Sequence, residues 1–161
     1  MRQNDDVQPR PEGDRPYAQI ESSVRPERNR VVQMQSVVDL LWAALKDTDV
    51  SWVGFYLHEG GDELILGPCR DTPACSPIGL HGVCGRSFRD GKAVIVDDVA
   101  KLGDGYIACD PRDRSEVVIP LFEPDGRCWG VLDLDSRRVG AFDQQDLAGL
   151  TPVLRAAGLT T

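Results

Sequence analysis

No apolar run in the 161 residues approaches the roughly eighteen needed to cross a bilayer. The opening Met1-Arg-Gln-Asn-Asp-Asp-Val-Gln-Pro-Arg10 has no apolar core, so no secretory signal is expected. Positive charge is also short. There are 18 Lys and Arg against 26 Asp and Glu, net −8. Residues 1–30 hold six Arg and six acids, so the whole deficit falls on 31–161. A phosphate-backbone binder shows the opposite sign, which argues against nucleic acid and anionic membrane as partners. Histidine is nearly absent, with only His58 and His81, and no two cysteines stand at CxxC spacing. The close ligand pairs of a structural zinc site are missing, so no metal is expected. The five cysteines are an odd number in a chain without an export signal, which argues against a permanent disulfide framework. These features suit a cytoplasmic protein. The length suits one domain that buries its own core.

Residues 1–16 are rich in Pro, Asp, Arg and Gln and read as a disordered leader to a single domain over 17–161. Met34, Val37, Val38, Leu41 and Leu45 recur at helical steps, with Pro26 suited to the first turn and Asp47–Asp49 ending the helix. Ser51–Leu57 reads as a strand with Trp52, Gly54 and Tyr56 on one face and Val53, Phe55 and Leu57 on the other. Both faces are apolar, so this strand belongs in the middle of a sheet. Leu64–Leu66 is its hairpin partner across Gly60-Gly61. Residues 67–82 hold three Pro and three Gly and read as a long irregular loop of the functional kind. A short helix over Val83–Asp90 is closed by Gly91. Strands over Ala93–Val96, Glu116–Phe122 and Trp129–Leu134 follow, with a second long loop over 97–115. Asp143 caps a last helix carrying Leu147, Leu150 and Leu154, which Pro152 should shorten or bend. The order implies an α+β fold: a mainly antiparallel sheet, helices packed on one face, long loops forming a pocket on the other.

Two groups of residues carry potential chemistry. Cys75, Cys84 and Cys109 lie in or beside the long loops. Cys84 falls in the first turn of a helix, where the dipole favours a thiolate. In Val131-Leu-Asp-Leu-Asp135, alternation puts Asp133 and Asp135 on one face, and Glu116 opens the neighbouring strand. Like-charged carboxylates on a core strand must bind a cation, share a proton or face water. The plain readings stand beside these. A lone cysteine is usually core filler, an acid at a strand end is usually solvated, and Trp52 with Tyr56 is usually core. Asp97-Asp98 suits a turn, and Cys69 and Cys128 suit filler.

Trp52-Val-Gly-Phe-Tyr-Leu57, Gly67-Pro-Cys-Arg-Asp-Thr-Pro-Ala-Cys75, His81-Gly-Val-Cys-Gly85, Tyr106-Ile-Ala-Cys-Asp110, Ser115-Glu-Val-Val-Ile-Pro-Leu121 and Gly130-Val-Leu-Asp-Leu-Asp-Ser136 together carry a resemblance to the GAF-domain free methionine-(R)-sulfoxide reductases. It runs from about residue 30 to 150. It implies that Cys109 attacks the sulfoxide sulfur, that Cys75 resolves the resulting sulfenic acid as a disulfide, and that Cys84 is an alternative resolver. It implies an acidic pocket of Glu116, Asp133 and Asp135 with an aromatic wall of Trp52 and Tyr56. The implied substrate is free methionine sulfoxide. No cofactor is bound, and an external dithiol of the thioredoxin type, driven by NADPH, regenerates the thiols. A homodimer is compatible with the resemblance. Three departures bear on the first long loop. Cys69 replaces a usual aromatic residue, Pro77 a usual basic one, and the stretch from Cys75 to Cys84 is one residue shorter. Cys69 is therefore a competing disulfide partner. The alternative is a GAF-type sensor that binds a small ligand without chemistry. An interaction module that keeps only the fold is the third reading.

Overall fold

The computed structural model describes residues 10–11, 13–71, 74–106 and 109–161. Six strands form one antiparallel sheet: β1 (Val50–Leu57), β2 (Glu63–Arg70), β3 (Ile78–Gly79), β4 (Val94–Val96), β5 (Ser115–Phe122) and β6 (Cys128–Ser136). Their order across the sheet is β3-β2-β1-β6-β5-β4. The helices are α1 (Tyr17–Ser23), α2 (Arg30–Leu45), α3 (Val83–Asp90) and α4 (Gln144–Ala156). The α+β architecture expected from the element order is the one observed.

Alternation decides where each side chain goes. β1 lies between β2 and β6, and its two faces feed two separate cores. Val53 and Phe55 join Met34, Val37, Val38, Leu41 and Leu45 of α2, with Leu132 and Leu134 of β6 and Leu150 and Leu154 of α4. Each large side chain buried there contributes about 1.5–3 kcal/mol. Trp52 and Tyr56 face the other way, among Leu64, Ile78, Val83, Cys84, Val96, Val118 and Val131.

The helices are not all on one side. α1, α2 and α4 share a core with one face of the sheet, but α3 packs against β5 and β6 on the pocket face. Nothing local to Val83–Asp90 marks that choice; the connection through β3 carries the chain across. Residues 67–70 and 78–79, expected as loop, belong to β2 and β3.

Helix ends follow local chemistry. The Asn29 side chain accepts hydrogen bonds from the N–H groups of Val31 and Val32 and starts α2 after Pro26 rather than around it. Gly91 closes α3 with φ of +61°, a left-handed conformation that favours glycine. Asp143 and Asp146 form a reciprocal capping box at α4, which continues through Pro152 to Ala156 without being shortened. Of the leader expected over 1–16, residues 1–9 and 12 lie outside the described residues. Arg10 and Arg15 are tied to the fully buried Asp146, at 3.0 Å and 2.7 Å, and Tyr17 Oη donates to the same carboxylate at 2.6 Å.

Candidate functional site: an acidic pocket beneath a disulfide

Strand register lines up the candidate residues. Asp135 of β6 lies between Trp52 of β1 and Glu116 of β5, and Asp133 lies between Gly54 and Val118. Three strands therefore place two aromatics and three acids on one patch of one face. Gly54 is part of this arrangement. A Cβ there would run into the Trp52 ring and lie 2.8 Å from the Cys69 Cβ, so only glycine lets the indole lie across the strand. The Trp52 and Tyr56 ring centres are 5.9 Å apart.

Above this patch α3 brings Cys84, and the two loops bring Cys75 and Cys109. Cys75 and Cys109 form a disulfide with Cα atoms 5.4 Å apart. Tyr56 Oη donates to the Cys75 carbonyl at 2.8 Å, tying the sheet floor to the cysteine loop. The pocket is open to solvent on one side, and the empty space in and at its mouth is about 520 Å³. Every residue expected at the site lines it except Cys75: Trp52, Tyr56, Cys84, Cys109, Glu116, Asp133 and Asp135. Cys75 closes its edge through the bond to Cys109. Cys69 is half-buried on β2 opposite Gly54, and Cys128 donates to the Gly130 carbonyl at 3.4 Å; neither lines the pocket.

The acids are held in a state ordinary carboxylates do not adopt at neutral pH. Burial, followed by the charge of Asp133, pushes Glu116 well above the usual range. Burial and the charges of Asp133 and Glu116 do the same to Asp135. Asp133 is raised by burial to about 7, against the lowering effect of hydrogen bonds from Cys84 and Glu116. Two acids that cannot both ionise share a proton, so the cluster is a reservoir of protons at neutral pH.

Cys84 overturns the expectation of a helix-activated thiolate. Its thiol is buried and donates to Asp133 Oδ2 at 3.4 Å. Burial and then the neighbouring acids push it well above the ordinary thiol range. The first turn of α3 favours negative charge, but three carboxyl groups at close range oppose it more strongly.

Among the described residues five buried side-chain polar atoms lack hydrogen-bond partners, and three of the five belong to pocket residues: Trp52 Nε1, Glu116 Oε1 and Asp133 Oδ1. An unsatisfied buried group costs about 1–3 kcal/mol, so their grouping marks a place built for a polar guest. Gly82 supplies no side-chain cap to α3, and Gly82 through Gly85 line the pocket, so the amide end of the helix adds a second polar feature.

Sequence reasoning missed Tyr106 and Asp113, which also line the pocket. Tyr106 lies within a quoted motif but in no periodic pattern. Asp113 is buried, and Ser51 Oγ donates to it at 3.0 Å. Asp110, directly after Cys109, is gripped by Arg112 at 2.8 Å with Arg137 at 3.8 Å. Arg112 holds its carboxyl down at about 2.

The comparisons agree with this geometry. The GAF domain family matches residues 32–160. GAF domain-containing protein A of Dictyostelium discoideum is 40% identical over 139 residues, spanning 85% of this chain and 84% of that protein. Free methionine-R-sulfoxide reductase of Saccharomyces cerevisiae is 38% identical over 123 residues, spanning 73% of this chain and 68% of that protein. Among solved structures, free methionine-R-sulfoxide reductase from Neisseria meningitidis in complex with its substrate is 39% identical. It superposes with a TM-score of 0.77 over 87% of this chain and 82% of that one. With its GAF fold and its disulfide-roofed acidic pocket, the chain belongs to the family of GAF-domain free methionine-(R)-sulfoxide reductases.

Proposed function

We propose that this chain reduces free methionine-(R)-sulfoxide to methionine with electrons carried by its own cysteines. The observation that carries the reading is the Cys75–Cys109 disulfide lying over a pocket lined by Glu116, Asp133 and Asp135. In the reduced enzyme the Cys109 thiolate attacks the sulfoxide sulfur while a carboxyl group protonates the oxygen. Glu116 is the favoured donor, because burial keeps its proton in place at neutral pH. Oxygen passes to Cys109 as a sulfenic acid, and methionine leaves. Cys75 then attacks that sulfur, water departs, and the disulfide forms. Cys84 lies in the same pocket and serves as reserve resolving thiol. An external dithiol of the thioredoxin type, itself restored by NADPH, returns both cysteines to thiols by exchange.

Substrate selection follows from the same groups. Trp52 and Tyr56 pack the S-methyl end. The crowded carboxylates pair with the ammonium of a free amino acid, and the amide end of α3 accepts its carboxylate. A methionine within a peptide has neither group and would leave these partners unpaired. Coupled NADPH oxidation with thioredoxin should proceed with the free R-sulfoxide and not with the peptide-bound form. Cys109→Ser should lower turnover by about a thousandfold or more. Full activity of that variant, or saturable binding without turnover by the unaltered protein, would replace the enzyme with a ligand sensor.

A further inference from the structure

We propose that Cys84, Glu116 and Asp133 form a binding site for one borderline-soft divalent cation of the zinc type. The three come from α3, β5 and β6, far apart in sequence, yet one ligand atom from each lies within 4.8 Å of the others. All three are at least nine-tenths buried, with exposures of 6%, 4% and 5%. Cys84 Sγ stands 3.4 Å from Asp133 Oδ2. In a tetrahedron with Zn–S of about 2.3 Å and Zn–O of about 2.0 Å, the S···O edge is about 3.5 Å. The edge between Cys84 and Asp133 therefore already suits the ion, and a ligand oxygen of Glu116 lies within 4.8 Å of both.

A second observation points to a guest. Glu116 Oε1 and Asp133 Oδ1 are buried oxygens with no hydrogen-bond partner in the ionised state. A cation satisfies such oxygens. One thiolate with two carboxylates suits zinc or cadmium; calcium and magnesium want six or more oxygen ligands or several retained waters. The fourth position opens into the pocket, where a water completes the tetrahedron. Binding displaces protons from the ligands to the buffer, so affinity rises with pH. An occupied site has no acid proton to give and no room for the sulfoxide oxygen, so the cation blocks reduction. That consequence rests on the proposed activity; the binding itself does not.

The test uses the oxidised protein, with the Cys75–Cys109 bond closed and no reductant, titrated with ZnCl2 by calorimetry and with Co2+ by absorption. One equivalent should bind, with a sulfur-to-cobalt charge-transfer band. Cys84→Ser should remove the band and weaken zinc binding by about tenfold or more, and Glu116→Gln should weaken it similarly. Cys69→Ser and Cys128→Ser should leave it unchanged. On the unaltered protein, titrations at pH 7 in buffers of different ionisation enthalpy should show protons released as zinc binds. No saturable binding, no charge-transfer band, no proton release, or full affinity in a folded Cys84→Ser protein would overturn the proposal. A chain that fails to reduce methionine sulfoxide but passes these measurements would sink the proposed activity and leave the metal site standing.

Discussion

The two faces of one sheet are built on opposite rules. Toward α2 and α4, strands β1, β5 and β6 present Val53, Phe55, Val117, Leu132 and Leu134, packed without exposure. Toward α3, the intervening residues of the same strands present Trp52, Tyr56, Glu116, Asp133 and Asp135. The strand residues of the first face are all apolar. The second leaves an indole N–H and two carboxyl oxygens unpaired and crowds three acids together. Stability thus resides on one side of a single layer and chemistry on the other, each at the expense of what the other side could tolerate.

Matched substitutions should separate the two. On the pocket face, Glu116→Gln should lower kcat/KM by about 100- to 10,000-fold, measured by coupled NADPH oxidation, while urea unfolding at pH 7 shows no loss of stability. On the helix face, Phe55→Ala should lose about 3–5 kcal/mol in the same unfolding experiment, because the vacated space cannot fully close. A Glu116→Gln protein that unfolds as readily as Phe55→Ala would erase the distinction.

A smaller effect tests the protonation argument. The folded-state value for Asp133, about 7, lies above that of an unfolded aspartate at about 3.9. The unfolded chain therefore releases this proton first. The group's contribution to stability is present below about pH 4 and is lost as the pH rises through about 7. The urea midpoint should fall over that window in the unaltered protein and fall less in Asp133→Asn. A steeper fall in the variant would show that the cluster does not hold the proton assigned to it. The smallest change is expected away from both faces. Asp143→Ala removes one half of the α4 capping box and should lower stability by about 1 kcal/mol, seen in thermal unfolding, with kcat/KM unchanged.

Much of the fold was legible because its signals are local. Period-two alternation in Ser51–Leu57 and in Val131–Asp135 told which residues share a face, and the structure keeps both assignments. Gly91 and Asp143 marked helix ends through backbone chemistry that needs no distant partner. α1 was not legible. Its burial rests on Tyr17 and Ile20 fitting a distant α4, and no periodic run announces seven residues. β3 is two residues long and exists by pairing with β2.

The candidate site divides in the same way. Which residue types could carry redox and acid chemistry, and which strand faces held them, follows from the chain alone, since alternation is a property of the extended backbone. Tertiary structure alone decided their states. Register set Glu116 beside Asp135, and the packing of α3 lowered Cys84 onto Asp133. Burial there, and then the neighbouring acids, push the Cys84 thiol upward where a thiolate was expected, and the same packing brings Cys84, Glu116 and Asp133 within 4.8 Å of one another. Burial and charge at a few ångströms depend on what surrounds a group in space, and linear order does not encode that surrounding directly.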